Sequence, residues 1–371
     1  MMNNAQDVVN EDLSYICNSL KEELLKLSGK EVLIAGGAGF LGYYLVQAIL
    51  HWNSINAKYA PIQLTVHDNF IRGVPRWLEN LDGCDNFKTK KRDVTEKLQD
   101  DENGFQYIIH AASIASPIYY RKYPIETMDA NINGLKSFLD FCIKKKNEGR
   151  PIEGFLFFST SEIYGDPDPK NIPTSESYRG NVSCTGPRAC YDESKRYGET
   201  LCVNFAQQYN LPIRIARPFN NYGPGLKITD RRALPDFARN IFNNEDIVLL
   251  SDGAPTRTFC YVADAIIGYF KVLTNGKDGE SYNIGIDKPE ISILELAERT
   301  IEISRELFDY KGKLVKKISD DKEYLTDNPN RRCPFIDKAK KDLGYNPSIN
   351  LNDGLRRSLL WYSENLVSEK S

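Results

Sequence analysis

The chain has 371 residues, 41% of them hydrophobic and 27% charged, with a net charge of −3 and a pI near 5.8. That length accommodates one large α/β domain with a smaller lobe, and the charge excludes a basic field for nucleic acid or an anionic membrane. No apolar run approaches the roughly 20 residues that span a bilayer, no charged-then-apolar leader opens the chain, and the eight cysteines are scattered without a C-x-x-C pair; together these point to a cytoplasmic protein with free thiols, no disulfide framework and no metal site.

In chain order, Glu11 to Leu27 places Leu13, Ile16, Leu20, Leu24 and Leu27 at helical spacing. This predicts a packed outer helix, with a partner-binding helix as the alternative. Residues 30–35 form a short apolar strand, followed by Gly36-Gly37-Ala38-Gly39-Phe40-Leu41-Gly42 and an apolar helix from Tyr43 to His51. Gly36, Gly39 and Gly42 follow G-x-x-G-x-x-G, which permits a tight turn, close approach of backbone N–H groups to a pyrophosphate, and close helix-on-strand packing. Alone, such glycines mark an ordinary strand-to-helix turn. A second apolar run, Ile62 to His67, ends at Asp68, 26 residues after Gly42. An acid there accepts hydrogen bonds from ribose hydroxyls and repels a 2′-phosphate, favouring NAD over NADP, although Arg72 and Arg76 weaken that preference.

Further apolar runs, Tyr107 to Ala112, Phe155 to Ser159 and Ile213 to Ala216, each end just before a polar cluster. Strands alternating with helices from Lys30 to about Phe219 predict an α/β, Rossmann-type doubly wound parallel sheet, whose ligands bind beyond the carboxyl ends of the strands. After Asn220 the pattern is less regular, as expected of a smaller C-terminal α/β lobe. The domain expectation is a helical extension over 1–29, a dinucleotide-binding domain over 30–219 with chain crossings between lobes, and a mainly substrate-binding lobe over 220–371. The charged run Ser319 to Arg332 reads as a loop that closes on something.

Gly186 to Lys195 sets Tyr191 and Lys195 four residues apart at the start of a helix, which stacks phenol and ammonium on one face. A phenol has an ordinary pKa near 10, so a neutral-pH base requires a drop of roughly three units, worth about 4 kcal/mol of selective phenolate stabilisation. Lysine one turn away, with a nicotinamide cation above, can supply it. Tyr-x-x-x-Lys also arises by chance in helices, so its meaning depends on the glycine turn that precedes it.

Gly36 to Gly42, His110-Ala111-Ala112-Ser113, Ser159 to Gly165, and Tyr191 with Lys195 together resemble the extended short-chain dehydrogenase/reductase family of nucleotide-sugar enzymes. Asp68 to Gly73, Ala115-Ser116-Pro117 with Tyr119-Tyr120 and Pro124, Gly186 to Lys195, and Thr256 to Phe259 with Tyr261, Val262 and Asp264 are similar to its branch that converts UDP-glucuronate to UDP-xylose. The resemblance spans roughly residues 30 to 365. It implies NAD bound by Gly36, Gly39, Phe40, Leu41, Gly42, Asp68, Asn69, Asp93, Val94, Ala111, Ala112, Tyr191 and Lys195, with Asp93 meeting the adenine unless it is an ordinary turn acid. It implies a UDP-linked sugar held by Ser116, Tyr119, Glu162, Asn220, Arg257 and Arg332, and a homodimer paired through two helices, one beginning near Tyr191.

By the same resemblance Thr160 hydrogen-bonds the sugar 4-OH, Tyr191 takes its proton, and hydride leaves C4 for NAD. Ser161 and Glu162 then decide the reaction. A 4,6-dehydratase carries Asp-Glu there, the acid protonating the departing 6-hydroxyl, and a 4-epimerase usually has no carboxylate at the second position. Ser161 with Glu162 favours loss of carbon dioxide, because a C4 ketone makes the C5 carboxylate a β-keto acid. Arg332 occupies the place of an arginine near that carboxylate, and Glu162 with Ser161 positions the sugar or relays a proton. Read without the resemblance, Arg331 and Arg332 could be a solvated pair and Arg257 a surface ion pair. Gly225, Cys333 and Phe335 depart from the decarboxylase strings, which weakens the substrate assignment but not the hydride chemistry. A 4,6-dehydratase or 4-epimerase, and a non-catalytic nucleotide-sugar or NAD-binding protein, stay open as alternatives. Retention of Thr160, Tyr191 and Lys195 together argues against the last.

Overall fold

A computed structural model describes residues 2–98, 104–317, 326 and 328–366. Helices α1 (Ala5–Ser19) and α2 (Lys21–Leu27) lead into β1 (Glu31–Ala35), α3 (Phe40–Ile55), β2 (Gln63–Asp68), α4 (Arg76–Glu79), β3 (Phe87–Lys91) and β4 (Tyr107–His110). Then come α5 (Pro117–Lys122), α6 (Pro124–Asp129), α7 (Leu135–Asn147), β5 (Gly154–Phe158), α8 (Ala189–Tyr209), β6 (Ile213–Pro218), β7 (Asn221–Tyr222), α9 (Ala233–Phe242) and β8 (Ile247–Leu249). The chain continues through β9 (Thr256–Thr258), β10 (Cys260–Tyr261), α10 (Val262–Asn275), β11 (Ser281–Ile284), β12 (Glu290–Ser292), α11 (Ile293–Phe308), β13 (Leu314–Lys316), β14 (Arg331–Arg332), α12 (Asp337–Leu343) and α13 (Leu351–Asn365).

Seven strands form one sheet in the order β11-β6-β5-β4-β1-β2-β3, and every pairing in it is parallel. β4 and β5 are buried throughout and β1 at every residue but its first, as strands covered by helices on both faces must be. Apolar clusters fill both faces of the sheet. From β1 the chain runs outward through β2 and β3, then returns to place β4 on the other side of β1. The resulting switch point opens the crevice where such sheets bind ligands.

Two strands of this sheet carry no apolar run. β3, Phe-Lys-Thr-Lys-Lys, is an edge strand paired only with β2, and its lysines guard the open edge against further pairing. β11 pairs with β6 and comes from the part of the chain assigned to the second lobe. The same part of the chain adds a three-stranded sheet, β12-β9-β14, and the pair β13-β8, packed with α9 and α11. Of the charged run 319–332, residues 331–332 form β14 on β9; residues 319–325 and 327 lie outside the described residues.

The N-terminal extension is two helices, not one from Glu11. Asn4 caps α1 by accepting from the Asp7 N–H at 2.8 Å, and the chain turns at Leu20, where ψ is 21°. The turn lets all five apolar positions, Leu13, Ile16, Leu20, Leu24 and Leu27, bury. Fully buried Asp12 accepts hydrogen bonds from Tyr44 and Tyr261 at 2.6 Å each and pairs with Arg357. Tyr15 donates to Asp264 at 2.6 Å. The extension is therefore pinned to α3, α10 and α13. All eight cysteines are free thiols, and among the described residues no helix is long and apolar enough to cross a membrane.

Candidate active site

The glycine turn between β1 and α3 is fixed by contact. Gly36 has φ +81°, and a Cβ on it would meet the Ala112 Cα at 2.5 Å; a Cβ on Gly42 would lie 2.0 Å from the Gly37 carbonyl oxygen. Gly39 is the N-cap of α3 and offers no capping side chain. The first-turn N–H groups of a 16-residue helix thus face the crevice, an arrangement suited to a pyrophosphate. Asp68, at the end of β2, accepts from the Ala38 and Phe70 N–H groups at 3.0 and 2.8 Å; burial raises its pKa while these bonds pull it back. Asn69 donates to Asp93 at 2.9 Å. Burial acts to raise the Asp93 pKa, but bonds from Thr95 and Asn69 outweigh it and bring it below the ordinary value. Arg72 turns away from Asp68 to pair with Asp230 at 3.1 Å, its guanidinium 5.0 Å from the centre of the Tyr119 ring.

These residues line one end of an open cleft of about 1680 Å³, above the ~300–1,000 Å³ of a typical single-ligand pocket. The same cleft is lined by Ala111 and Ala112 after β4, by Val94, Ser116 and Tyr119, by Ser159 to Glu162 after β5, and by Tyr191, Lys195, Asn220, Arg257 and Arg332. The structure thus brings all the residues expected from the sequence to be catalytic or to hold cofactor or substrate to one crevice. Two hydroxyls in it, those of Ser113 and Ser159, are buried without a partner, which leaves them available to a ligand.

Tyr191 is 7% exposed, and its ring stacks on Tyr120 with centroids 5.1 Å apart. Thr160, two residues beyond β5, accepts from the Glu162 N–H at 3.2 Å, capping the short helical turn Ser161–Tyr164. Burial pushes the Tyr191 phenol up to about 12; a hydrogen bond with Thr160 opposes this, Glu162 and Asp192 add to it, and Arg232 offsets part. Lys195 does not yet do what its spacing predicts. Its ammonium is buried, donates to the Phe158 carbonyl at 2.7 Å, and lies 6.0 Å from the Tyr191 ring centre. Burial lowers its own pKa to about 7, partly offset by Cys202 and Glu199. Tyr191 and Lys195 share a helix face, but for Tyr191 to act as a base most of the required phenolate stabilisation would have to arrive with a ligand.

A charge cluster lies beside this pair. Glu162 Oε2 accepts from both Arg188 and Arg332. Burial alone would raise its pKa, but Arg188, Arg332 and Arg257 hold it down at about 2. Arg332 is delivered by β14, whose pairing with β9 sets it beside Arg257. Arg257 is 6% exposed and donates to the Thr256 carbonyl at 2.7 Å. Burial and the neighbouring Arg332 bring its pKa down to about 9, with Glu162 opposing. Asn220 donates to the Thr258 carbonyl at 3.1 Å. Arg331 pairs instead with Glu290 at 2.7 Å, so neither member of the Arg331-Arg332 pair is merely solvated. Arg188, Asp192, Tyr120 and Arg232 were given no site role from the sequence, although Tyr120 was among the residues that carry the resemblance. Arg188 and Asp192 lie inside the Gly186–Lys195 string, and their i, i+4 spacing on α8 was the available signal.

A model of the NAD dependent epimerase/dehydratase family matches residues 32–285. UDP-glucuronic acid decarboxylase 6 of Arabidopsis thaliana is 37% identical over 328 residues, 88% of this chain and 87% of that protein. UDP-glucuronic acid decarboxylase 1 of Xenopus tropicalis is 34% identical over 337 residues, covering 91% and 73%. Among solved structures, an epimerase from Methanothermobacter thermautotrophicus superposes with a TM-score of 0.78 at 26% identity, covering 96% of this chain and 98% of that one.

Proposed function

The chain belongs to the NAD dependent epimerase/dehydratase family, and from that we propose that it is an NAD-dependent nucleotide-sugar decarboxylase that converts UDP-glucuronate to UDP-xylose. Bound NAD supplies a nicotinamide that takes hydride from C4 and later returns it. The turn from Gly36 to Gly42 would receive its pyrophosphate, Asp68 its adenosine ribose, and Tyr191 and Lys195 would face the nicotinamide end. Tyr191 removes the C4 hydroxyl proton, steered by Thr160, and gives it back at the end, so neither proton nor redox balance changes at C4.

The observation that carries the choice of reaction is Glu162 shared by Arg188 and Arg332 with Arg257 behind them. Expulsion of a 6-hydroxyl needs a proton donor, yet Ser161 stands at the acid position and Glu162 is held ionised. Three guanidiniums around one firmly ionised carboxylate leave a cationic surplus that a uronate carboxylate would complete. We place that carboxylate by Arg332 and the diphosphate by Arg257 and Asn220. A 4-epimerase acting on the same uronate would use the same hydride machinery and keep the carboxylate, which is the second reading.

The free thiols fit a reducing compartment and support a cytoplasmic location. We expect a homodimer paired through α8, on which Tyr197 is 50% exposed. Incubation with NAD and UDP-glucuronate should release carbon dioxide and leave UDP-xylose. A 4-epimer without carbon dioxide, or a 4-keto-6-deoxy product from a nucleotide glucose, would sink the decarboxylase.

A further inference from the structure

Arg188 stands between two carboxyls. Glu162 takes its Nη2, and Asp192, one turn along α8, has Oδ2 at 3.5 Å from its Nε. The Asp192 side chain is 5% exposed, and its Oδ1 is buried without a hydrogen-bond partner. Arg188 and Glu162 line the cleft, whereas Asp192 sits behind them. Resting on the decarboxylase reading, we propose that Asp192 is a positioning carboxyl that stores the proton required at C5 and delivers it through Glu162, with Arg188 tying the two carboxyls together.

The proton balance calls for such a store. The C5–carboxyl bond breaks heterolytically, its electron pair passes into the enolate of the C4 ketone, and carbon dioxide departs without a proton. A new C5–H bond must then form, so each turnover consumes one proton. Tyr191 cannot supply it, because its proton is owed back to the C4 oxygen. Glu162 is held ionised by its arginines and has none of its own to give. Asp192 therefore gives its proton to the Glu162 carboxylate, the protonated Glu162 passes that proton on to C5 and is ionised again, and Asp192, left as a carboxylate, takes up the next proton from solvent.

The groups around Asp192 are Arg188, Tyr191 and Cys190 on its own helix, Glu162 from the turn after β5, Arg332 from β14 and Tyr120 from α5. Burial and the Glu162 charge raise Asp192 to about 7, against the pull of Arg188 and Arg332. The carboxyl pair therefore holds one proton near neutrality. Two carboxyls driven apart in this way divide into an ion and an acid.

The test uses the NAD-loaded enzyme with UDP-glucuronate. Asp192→Asn should lower kcat for carbon dioxide release about ten- to a hundredfold, within reach of a proton-transfer role, while KM stays within about twofold. The wild-type kcat should fall on the alkaline side with a midpoint near 7, and this limb should vanish in Asp192→Asn and reappear in Asp192→Glu. A variant that keeps the wild-type kcat, or loses activity with the limb intact, overturns the proposal, since a structural role would leave the limb in place. Infrared difference spectra of the wild type need no variant: a protonated-carboxyl band should disappear between about pH 6 and 8.5, and its absence overturns the proposal. Wild-type enzyme that releases no carbon dioxide removes the decarboxylase reading and this proposal with it; active wild type beside an unaffected variant removes this proposal alone.

Discussion

Gly42→Ala tests whether the turn before α3 is shaped by contact or merely tolerates glycine. An added Cβ would lie 2.0 Å from the Gly37 carbonyl oxygen, 2.5 Å from its carbon and 2.8 Å from its Cα, all backbone atoms. Carbon–oxygen contacts settle near 3.3 Å, so turn and helix must part by about 1.3 Å. Gly37 is itself closed in by Val66 of β2, whose Cγ1 would meet a Cβ on Gly37 at 2.7 Å. Overpacking of this kind costs about 1–3 kcal/mol. With an unfolding entropy of about 2.1 cal/mol/K per residue, a chain of 371 residues should lose about 1–4 °C in Tm. The larger effect falls on NAD: backbone donors moved by about 1 Å forfeit a charged hydrogen bond worth about 1.5–3 kcal/mol, so Kd by titration calorimetry should rise at least tenfold. Gly149→Ala is the control, with φ +76° and no atom within 4 Å of its Cβ. It should show backbone strain in Tm but unchanged NAD affinity. Gly42→Ala binding NAD within twofold of wild type would refute the contact argument.

The extension and the buried lysine give two further expectations. Asp12→Ala leaves Tyr44, Tyr261 and Arg357 without their shared acceptor, and breaking such a buried pair costs about 3–5 kcal/mol; a loss below about 1 kcal/mol in urea unfolding would show that the extension is loosely attached. Burial holds Lys195 near 7, far below its ordinary value of 10.5, so between these pH values the unfolded chain binds the extra proton and the fold gains stability as pH rises. Lys195→Met should therefore be more stable than wild type below pH 7, with the gap narrowing toward pH 10; a gap independent of pH would mean that the ammonium is not desolvated.

Elements whose pattern comes from burial on both faces were legible in the sequence: β1, β2, β4, β5 and β6 are all apolar runs, and the glycine turn between β1 and α3 reads from its spacing. β3 was not, because an edge strand made of Phe, Thr and three lysines has one neighbour and little core to bury. β11 escaped for a different reason, since nothing local to Ser281–Ile284 says that it returns to β6 across 62 residues of intervening chain. The same distinction holds at the site. Thr160, Tyr191 and Lys195 were visible through spacing, whereas the convergence of Arg188, Glu162 and Arg332 joins three separate segments. The expected effect of Lys195 on Tyr191 was also incomplete, because spacing puts two groups on one helix face without saying which acceptor the ammonium will choose, and it chooses the Phe158 carbonyl.

The shared carboxylate also bears on how a carboxylate-binding arginine can help rather than hinder. A uronate held by an unopposed guanidinium would be stabilised most before its bond breaks, and its charge leaves that position in the transition state. Such binding lowers the ground state and raises the barrier. If the carboxylate lies by Arg332 as proposed, that arginine is already engaged by Glu162, so an arriving carboxylate would meet a cation partly neutralised in advance and be placed without being gripped. On the proposed reading the electrons that leave C5 move toward the C4 oxygen, beside which we place Thr160 and Tyr191. The charge distribution is thus weak where charge is lost and richer in donors where it accumulates. This favours breaking the C5–carboxyl bond over simple re-reduction of the ketone, and replacing Glu162 should slow decarboxylation even where it tightens uronate binding.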